Sequence, residues 1–244
     1  MLSDRQLCRE GEQFFVHSGD IGDILYALPA IKACGGGKLF ITHTHGKTSH
    51  GMTEEKVARL APLLELQPFI YSVCFDINTV GHNLDGFRSH KVGTLVDAHL
   101  STVGKSWEER MTPWISNIIP NPAYDVLVHR SFRYRNDKFP WQRIVDKYKH
   151  RIGFIGFEDE YKDFCSRFGT IPFVVAENFL VLAEFIAGSQ LFIGNQSSPL
   201  AVAHGLFHPT ITEVSIGFAQ NDCWFQRINH IFGWDERVIC PELV

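Results

Sequence analysis

Short apolar runs rich in Phe, Val and Ile alternate with segments of helical period along nearly the whole 244-residue chain. Alternation of this kind restricts the fold to the α/β class, because a parallel strand must be reached through a crossover that is usually a helix. In the first half the pattern predicts strands at residues 13–17, 38–42 and 69–75, and helices at 21–33 and 54–66. The run Gly35-Gly36-Gly37 ends the first helix. Residues 77–106 are less regular, with a short strand expected at 94–98, and residues 107–119 are expected to be helical. The stretch IPNPAYD then carries two prolines within three residues, which no regular element tolerates, so residues 119–124 read as a linker. Beyond it the alternation restarts. Strands are expected at 125–129, 151–157, 173–176, 190–193 and 210–216, and helices at 140–148, 159–168, 179–187 and 199–206. Two α/β domains follow, 1–122 and 123–244, with a ligand cleft expected between them at the C-terminal ends of the strands.

Composition narrows the class further. The chain is 45% hydrophobic and 20% charged, as in a globular protein with a real core. A net charge of −4 is not the footprint of a general nucleic-acid binder. The six cysteines form no C-x-x-C pair and read as free thiols of a reducing compartment. The N-terminus is polar, without the apolar core of a signal peptide, and no apolar run is long enough to span a membrane. The expectation is a cytoplasmic protein without a transmembrane segment, peripheral at the inner membrane at most.

Three strand-to-helix junctions could carry chemistry. The first is HSGDIGDILYALPAI, in which Gly19, Asp20, Gly22 and Asp23 sit just before or inside the start of a helix. Asp20 or Asp23 can simply cap that helix; alternatively, a carboxylate held at the cleft can act as a general base. The segment is not G-x-G-x-x-G, so the dinucleotide fingerprint is absent. The second is HRSFRYRNDKFPW, where Ser131 ends a strand and Arg133, Arg135 and Lys138 follow. Such a loop is either a solvated basic turn or a diphosphate site, since guanidinium forks match phosphate oxygens. The third is FIGNQSSPLAVAHG, where Gln196, Ser197 and Ser198 precede a proline at a helix start. It offers amides and hydroxyls at the positive end of a helix, or else an ordinary cap.

In their order along the chain these segments resemble the ADP-heptose:lipopolysaccharide heptosyltransferases, family 9 of the glycosyltransferases. GDIGDILYALPAI is similar to that family's first loop and helix. LVHRSFRYRNDKFPW is similar to the segment opening its second domain. FIGFEDE resembles its strand followed by a ribose-contacting glutamate, and LFIGNQSSPLAVAHG its phosphate-binding loop. The resemblance implies a GT-B fold, two Rossmann-like domains facing across a cleft. It also implies a nucleotide-diphosphate sugar as donor substrate, no cofactor and no metal requirement, and an acceptor hydroxyl on a glycan, a lipid-linked sugar or another molecule. By position Asp23 matches the catalytic base, with Asp20 and Gly22 in the acceptor-side loop. Ser131 and Arg135, with Arg133 beside them, match the diphosphate-holding positions. Glu158 matches the ribose glutamate, and Gln196, Ser197 and Ser198 the phosphate loop. Gln196 stands where the family has Asp, Ser198 where it has Gly, and Ala201 where it has His.

Two other readings accompany the transferase: a nucleotide-sugar-binding protein without catalysis, and a sugar-nucleotide epimerase of GT-B type. The stretch THTHGKTSH, with His43, His45 and His50, has H-x-H spacing but no Cys or carboxylate at ligand distance, and reads as a polar loop rather than a metal site. His129, His204 and His208 read as structural or surface residues, and Trp114, Trp141 and Trp224 as core.

Overall fold

The computed structural model describes residues 12–43, 51–76, 80–90, 93–215 and 230–233. His45, His50 and Trp224 therefore lie outside the described residues. The first half holds β1 (Phe14–His17), α1 (Ile21–Ala33), β2 (Gly37–Ile41), α2 (Glu54–Glu65), β3 (Ile70–Phe75), β4 (His82–Asn83) and α3 (Leu95–Thr102). Short 3-10 helices occupy Leu84–Ser89 and Trp107–Met111. The second half holds β5 (Val126–His129), α4 (Trp141–Tyr148), β6 (Ile152–Ile155), α5 (Glu158–Phe168) and β7 (Phe173–Val174). It continues with α6 (Phe179–Gly188), β8 (Leu191–Asn195), α7 (Ser198–Gly205), β9 (Thr210–Glu213) and β10 (His230–Gly233).

These elements build two wholly parallel sheets, one ordered β3-β2-β1-β4 and the other β10-β9-β8-β5-β6-β7. Every residue of β5 and β6 is buried, as expected of parallel strands covered on both faces. In each sheet the strand order reverses once, between β1 and β4 and between β5 and β8. Open α/β sheets bind ligands outside the strand C-termini at such reversals.

Helix α1 is apolar all round. Ile24 to Ile31 are buried without interruption, including Pro29. A helix of that kind needs cover on all sides, and α1 has it, packed against α3 of its own half and α7 of the other. Helix α2 likewise meets α6. One apolar cluster consequently runs through both halves, and a second, around Trp141, Phe154 and Phe164, lies under the far face of the larger sheet. The halves are also joined by a hydrogen bond between Tyr26 Oη and His204 Nδ1, 3.0 Å long and buried. Trp114 and Trp141 are core residues, as their composition suggested.

Two expected elements differ. Residues 94–98 do not form a strand but start α3. Thr94 and Asp97 make a capping box, the Asp97 N–H reaching Thr94 Oγ1 at 3.2 Å and the Thr94 N–H reaching Asp97 Oδ2 at 2.9 Å. Residues 107–119 are not one helix either, because Pro113 ends the helical turn after Met111. From there an extended strap crosses to the second half. The N–H groups of Trp114 and Ile115 both donate to Gly205 O at 3.1 Å, and Asn121 N–H donates to Glu184 O at 2.9 Å.

Candidate active site

The loops at both strand reversals face one cleft of ≈ 790 Å³. Asp20, Gly22, Asp23 and Arg88 line it from the first half. Ser131, Arg133, Glu160 and the α7 start at Gln196, Ser197 and Ser198 line it from the second. Segments that follow strands in both halves thus converge, which is why Asp20 and Ser198, far apart in sequence, share one space.

On the first side the capping reading holds. Asp20 is the N-cap of α1, and the Asp20 N–H donates to Asp23 Oδ2 at 3.2 Å. Yet Asp23 is no ordinary surface cap. Burial pushes its carboxyl up to about 6, with the negative charge of Asp20 adding to the rise and the Arg88 guanidinium, 3.2 Å away, opposing it. A carboxylate with that affinity for protons is suited to accept one near neutral pH. Gly19 makes the tight seat possible. A Cβ there would lie 2.7 Å from Asp23 Cβ and 2.6 Å from His17 Cε1, so no larger residue fits.

Arg88 and its neighbour Asp85 escaped the sequence reading. Both lie on the 3-10 turn after β4. Asp85 clamps the loop from below, accepting from the Ser18 N–H at 2.8 Å and from Ser18 Oγ at 2.6 Å. The signal available was Asn83-x-Asp85, an Asx turn opening a helical turn, in which Asn83 Oδ1 accepts from the Asp85 N–H at 2.8 Å.

On the second side the expected diphosphate residues divide. Arg133 faces the cleft, 52% exposed, with its Nη1 3.8 Å from Asp20 Oδ2 across the gap. Arg135 is turned away from the lining. Its Nε donates to Ser131 O at 2.9 Å, its Nη2 pairs with Asp163 at 2.8 Å, and the guanidinium lies over Phe132. Tyr134, between them, has φ of 56°, which breaks the extended alternation and sends the two arginines different ways. Ser131 is nearly buried and tied to Asn195, whose Oδ1 accepts from the Ser131 N–H at 3.1 Å. Asn195 Nδ2 in turn donates to Arg133 O at 2.6 Å, so the end of β8 shapes the loop after β5.

Glu158 is outside the lining. Its carboxylate is exposed and pairs with Lys162 at 2.6 Å. The glutamate that does line the cleft is Glu160, buried, its carboxyl pushed up by burial and partly held down by the Phe157 N–H at 3.1 Å. Ser197 is the N-cap of α7, and Ser198 its first residue, so the positive end of that helix opens on the cleft. Gln196 is held by the Ser215 N–H, which donates to its Oε1 at 2.9 Å. His129 also borders the space, its Nδ1 bonded to Ile155 O at 2.8 Å, and burial lowers its pKa to about 4. Lys56 and Arg59 of α2 complete the rim, Arg59 Nε donating to Glu177 O at 3.2 Å across the halves.

Among the described residues no group of three or more His, Cys, Asp or Glu side chains converges as a metal site, and His43 Nδ1 meets Met52 O at 3.2 Å instead. No described helix is long and apolar enough to cross a membrane.

No protein-family model and no curated protein matches the chain. Solved structures do match in shape. The E. coli heptosyltransferase WaaC with ADP-2-deoxy-2-fluoro heptose superposes with a TM-score of 0.55 at 13% identity, over 91% of this chain and 92% of that one. A family 9 glycosyl transferase from Veillonella parvula gives 0.58 at 12% identity, over 91% and 86%. The E. coli ADP-heptose lps heptosyltransferase II gives 0.52 at 7% identity, over 92% of both chains. Two parallel α/β sheets facing one cleft, superposing on these enzymes over 91–92% of this chain, give it the GT-B fold of the heptosyltransferases.

Proposed function

We propose that this protein is a glycosyltransferase that moves a sugar from a nucleotide-diphosphate sugar to an acceptor hydroxyl. The observation that carries the reading is the polarity of the cleft. A largely buried carboxylate of raised pKa, Asp23, stands at one strand reversal, and a cation with a helix N-terminus, Arg133 and α7, stands at the other. Nucleotide-sugar transfer needs both. In the proposed reaction Asp23 takes the proton of the acceptor O–H, that oxygen bonds to the anomeric carbon, and the bond from that carbon to the diphosphate oxygen breaks with its electron pair. Arg133, the α7 amides and the hydroxyls of Ser197 and Ser198 meet the charge left on the diphosphate. Glu160, which lines the same cleft, is assigned the acceptor role toward a ribose hydroxyl. Among the solved neighbours WaaC holds ADP-2-deoxy-2-fluoro heptose and the heptosyltransferase TibC holds ADP-D-beta-D-heptose, which supports the same donor class.

A thermal-shift screen with ADP, GDP, UDP, CDP and dTDP and their sugars tests the donor side. One nucleotide is expected to stabilise the protein, adding about 2.7 kcal/mol at 100-fold its Kd, and Arg133→Ala is expected to abolish most of the shift while Arg135→Ala weakens it only by loosening the loop. No shift with any of them would overturn the reading.

Gly22 offers a test that leaves the fold alone. It lies in the first turn of α1 and lines the cleft, and a Cβ added there meets nothing within 4 Å. Gly22→Ala is expected to stabilise α1 by roughly 0.5–1 kcal/mol. Gly22→Phe is expected to fold normally by circular dichroism but to block the cleft, with transfer reduced at least tenfold. Unimpaired transfer by Gly22→Phe would place the reaction elsewhere.

A further inference from the structure

Behind the Asp23 loop, and outside the cleft lining, two histidines are fully buried against each other. His17 ends β1 and His99 sits in α3, with Nε2 to Nε2 at 3.0 Å and ring centroids 5.2 Å apart. Phe87 stacks on His99 at 4.1 Å, closing the far side. The outer nitrogens are both occupied. The Gly19 N–H donates to His17 Nδ1 at 2.8 Å, and His99 Nδ1 lies 2.7 Å from Leu95 O.

Those contacts admit one arrangement of protons. An amide N–H can only donate, so His17 Nδ1 is bare and its proton sits on Nε2. A carbonyl can only accept, so the His99 proton sits on Nδ1 and His99 Nε2 is bare. The bond between the rings then runs from His17 Nε2–H to His99 Nε2. The hydrogen bonds form a one-way chain from Gly19 to His17 to His99 to Leu95, with all four ring nitrogens satisfied and neither ring charged. Burial agrees, lowering the pKa of His17 to about 3 and that of His99 well below its ordinary value. A buried pair this well matched is costly to disturb.

The near end of the chain is the Gly19 N–H, one residue before the Asp20 N–H that donates to Asp23 Oδ2 at 3.2 Å. Gly19 lies between the His17 ring and the Asp23 carboxylate so closely that a Cβ would collide with both. We propose that His17 and His99 are positioning residues for this site: His99 fixes the ring of His17, His17 fixes the Gly19 N–H, and Gly19, held against the Asp23 side chain, fixes the next amide, the Asp20 N–H, that orients the Asp23 carboxylate. The inference rests on the assignment of Asp23 as the base. The charged groups facing Asp23 are Asp20 on its own helix and Arg88 from the turn after β4, with Arg133 reaching Asp20 from the second half. Asp85 stands on the His17 side of the loop, 3.6 Å from Nδ1.

The test separates the amide acceptor from mere packing. His17→Leu removes the acceptor for Gly19. His17→Asn restores it, since an Asn side-chain oxygen accepts from the N–H two residues on. The Asp23 carboxyl is followed by carbon-detected NMR on Asp-labelled protein, and transfer is followed across pH. In His17→Leu the Asp23 titration is expected to move down toward the ordinary carboxylate range as the seat opens to water. Its kcat is expected to fall roughly 10- to 100-fold with donor KM within about twofold, and His17→Asn is expected to recover most of both. A folded His17→Leu with unchanged Asp23 titration and kcat overturns the proposal, as does a His17→Asn as defective as His17→Leu. Should His17→Leu not fold, His99→Leu, which strips His17 of its acceptor but keeps the Gly19 contact, is read by the same criteria. If wild type transfers no sugar, the catalytic reading fails alone, and the titration still decides whether His17 seats Asp23.

Discussion

Asp23→Asn is expected to lower kcat by about 10²- to 10⁴-fold, the range of a lost general base, and at the same time to raise stability above pH 6. The two effects have one cause. The folded-state pKa of Asp23 is about 6 against an ordinary 3.8, because burial disfavours its charged form. Its ionisation therefore costs stability progressively as pH rises from about 4 through about 6; below 4 the cost is absent, and above 6 it is complete. A raised pKa of this size corresponds to about 1–3 kcal/mol. The neutral amide of Asn escapes that cost and still offers an oxygen to the Asp20 N–H. The melting temperature of the variant is expected to exceed that of wild type at pH 7–8 and to match it near pH 4. The wild-type rate is expected to rise with pH through about 6, since the base works ionised. Were Asp23 only a helix cap, Asp23→Asn would leave kcat unchanged, and the gain in stability would have no counterpart in activity. Strain or unfavourable burial held at a working site is a common origin of such a trade-off.

The residues that were legible in the sequence are those whose positions follow from local geometry. Helix α1 begins and ends where the Gly-Asp turn and the glycine run require, and Asp23 follows at its third position. Strands β5 and β6 announce themselves as short, mostly apolar runs because they are covered on both faces. What could not be read is whatever depends on pairing across the chain. Strand β4 is two residues long, His82 and Asn83, and exists only through its register with Phe15 and Val16. Without it the reversal beside β1 is invisible, and with it Arg88 and Asp85. Glu158 and Glu160 divide for a different reason, Glu160 lining the cleft and Glu158 lying outside it. Both belong to α5, and two residues along a helix rotate a side chain by roughly 200°, so the two carboxylates point to opposite sides. Arg133 and Arg135 would share a face in an extended segment, but the positive φ of Tyr134 separates them. Residues 94–98 looked like a strand because Leu95, Val96 and Ala98 dominate a short window, whereas the Thr94-x-x-Asp97 box that starts a helix is a polar signal at its edge.

Glu213→Ala is expected to lower stability by about 3–5 kcal/mol, the largest loss from any single change outside the apolar core, and to weaken nucleotide binding by the protein that remains folded. Glu213 ends β9 with no exposed surface. Its Oε1 accepts from Arg130 Nη2 at 2.8 Å and from the Asn136 N–H at 2.7 Å, and its Oε2 from Trp141 Nε1 at 3.0 Å. Arg130 is 2% exposed, so deleting the carboxylate strands a guanidinium, an amide and an indole N–H in the interior. Burial pushes the Glu213 carboxyl up, and Arg130 offsets that push. A pair balanced in this way adds little over an apolar filling, while either half alone is costly. The double variant Arg130→Met/Glu213→Leu is therefore expected to be more stable than Glu213→Ala, with a coupling of about 1–3 kcal/mol in urea or thermal melts. Binding is expected to follow a different order. Asn136 anchors the loop that carries Arg133, through Glu213 and through Val214 O at 3.0 Å, and the apolar double variant does not restore the Glu213 anchor. Stability regained with nucleotide affinity still reduced is the expected pattern. If the double variant binds as wild type, the buried carboxylate serves stability alone; if the separate losses simply add, Arg130 and Glu213 are not energetically coupled at all.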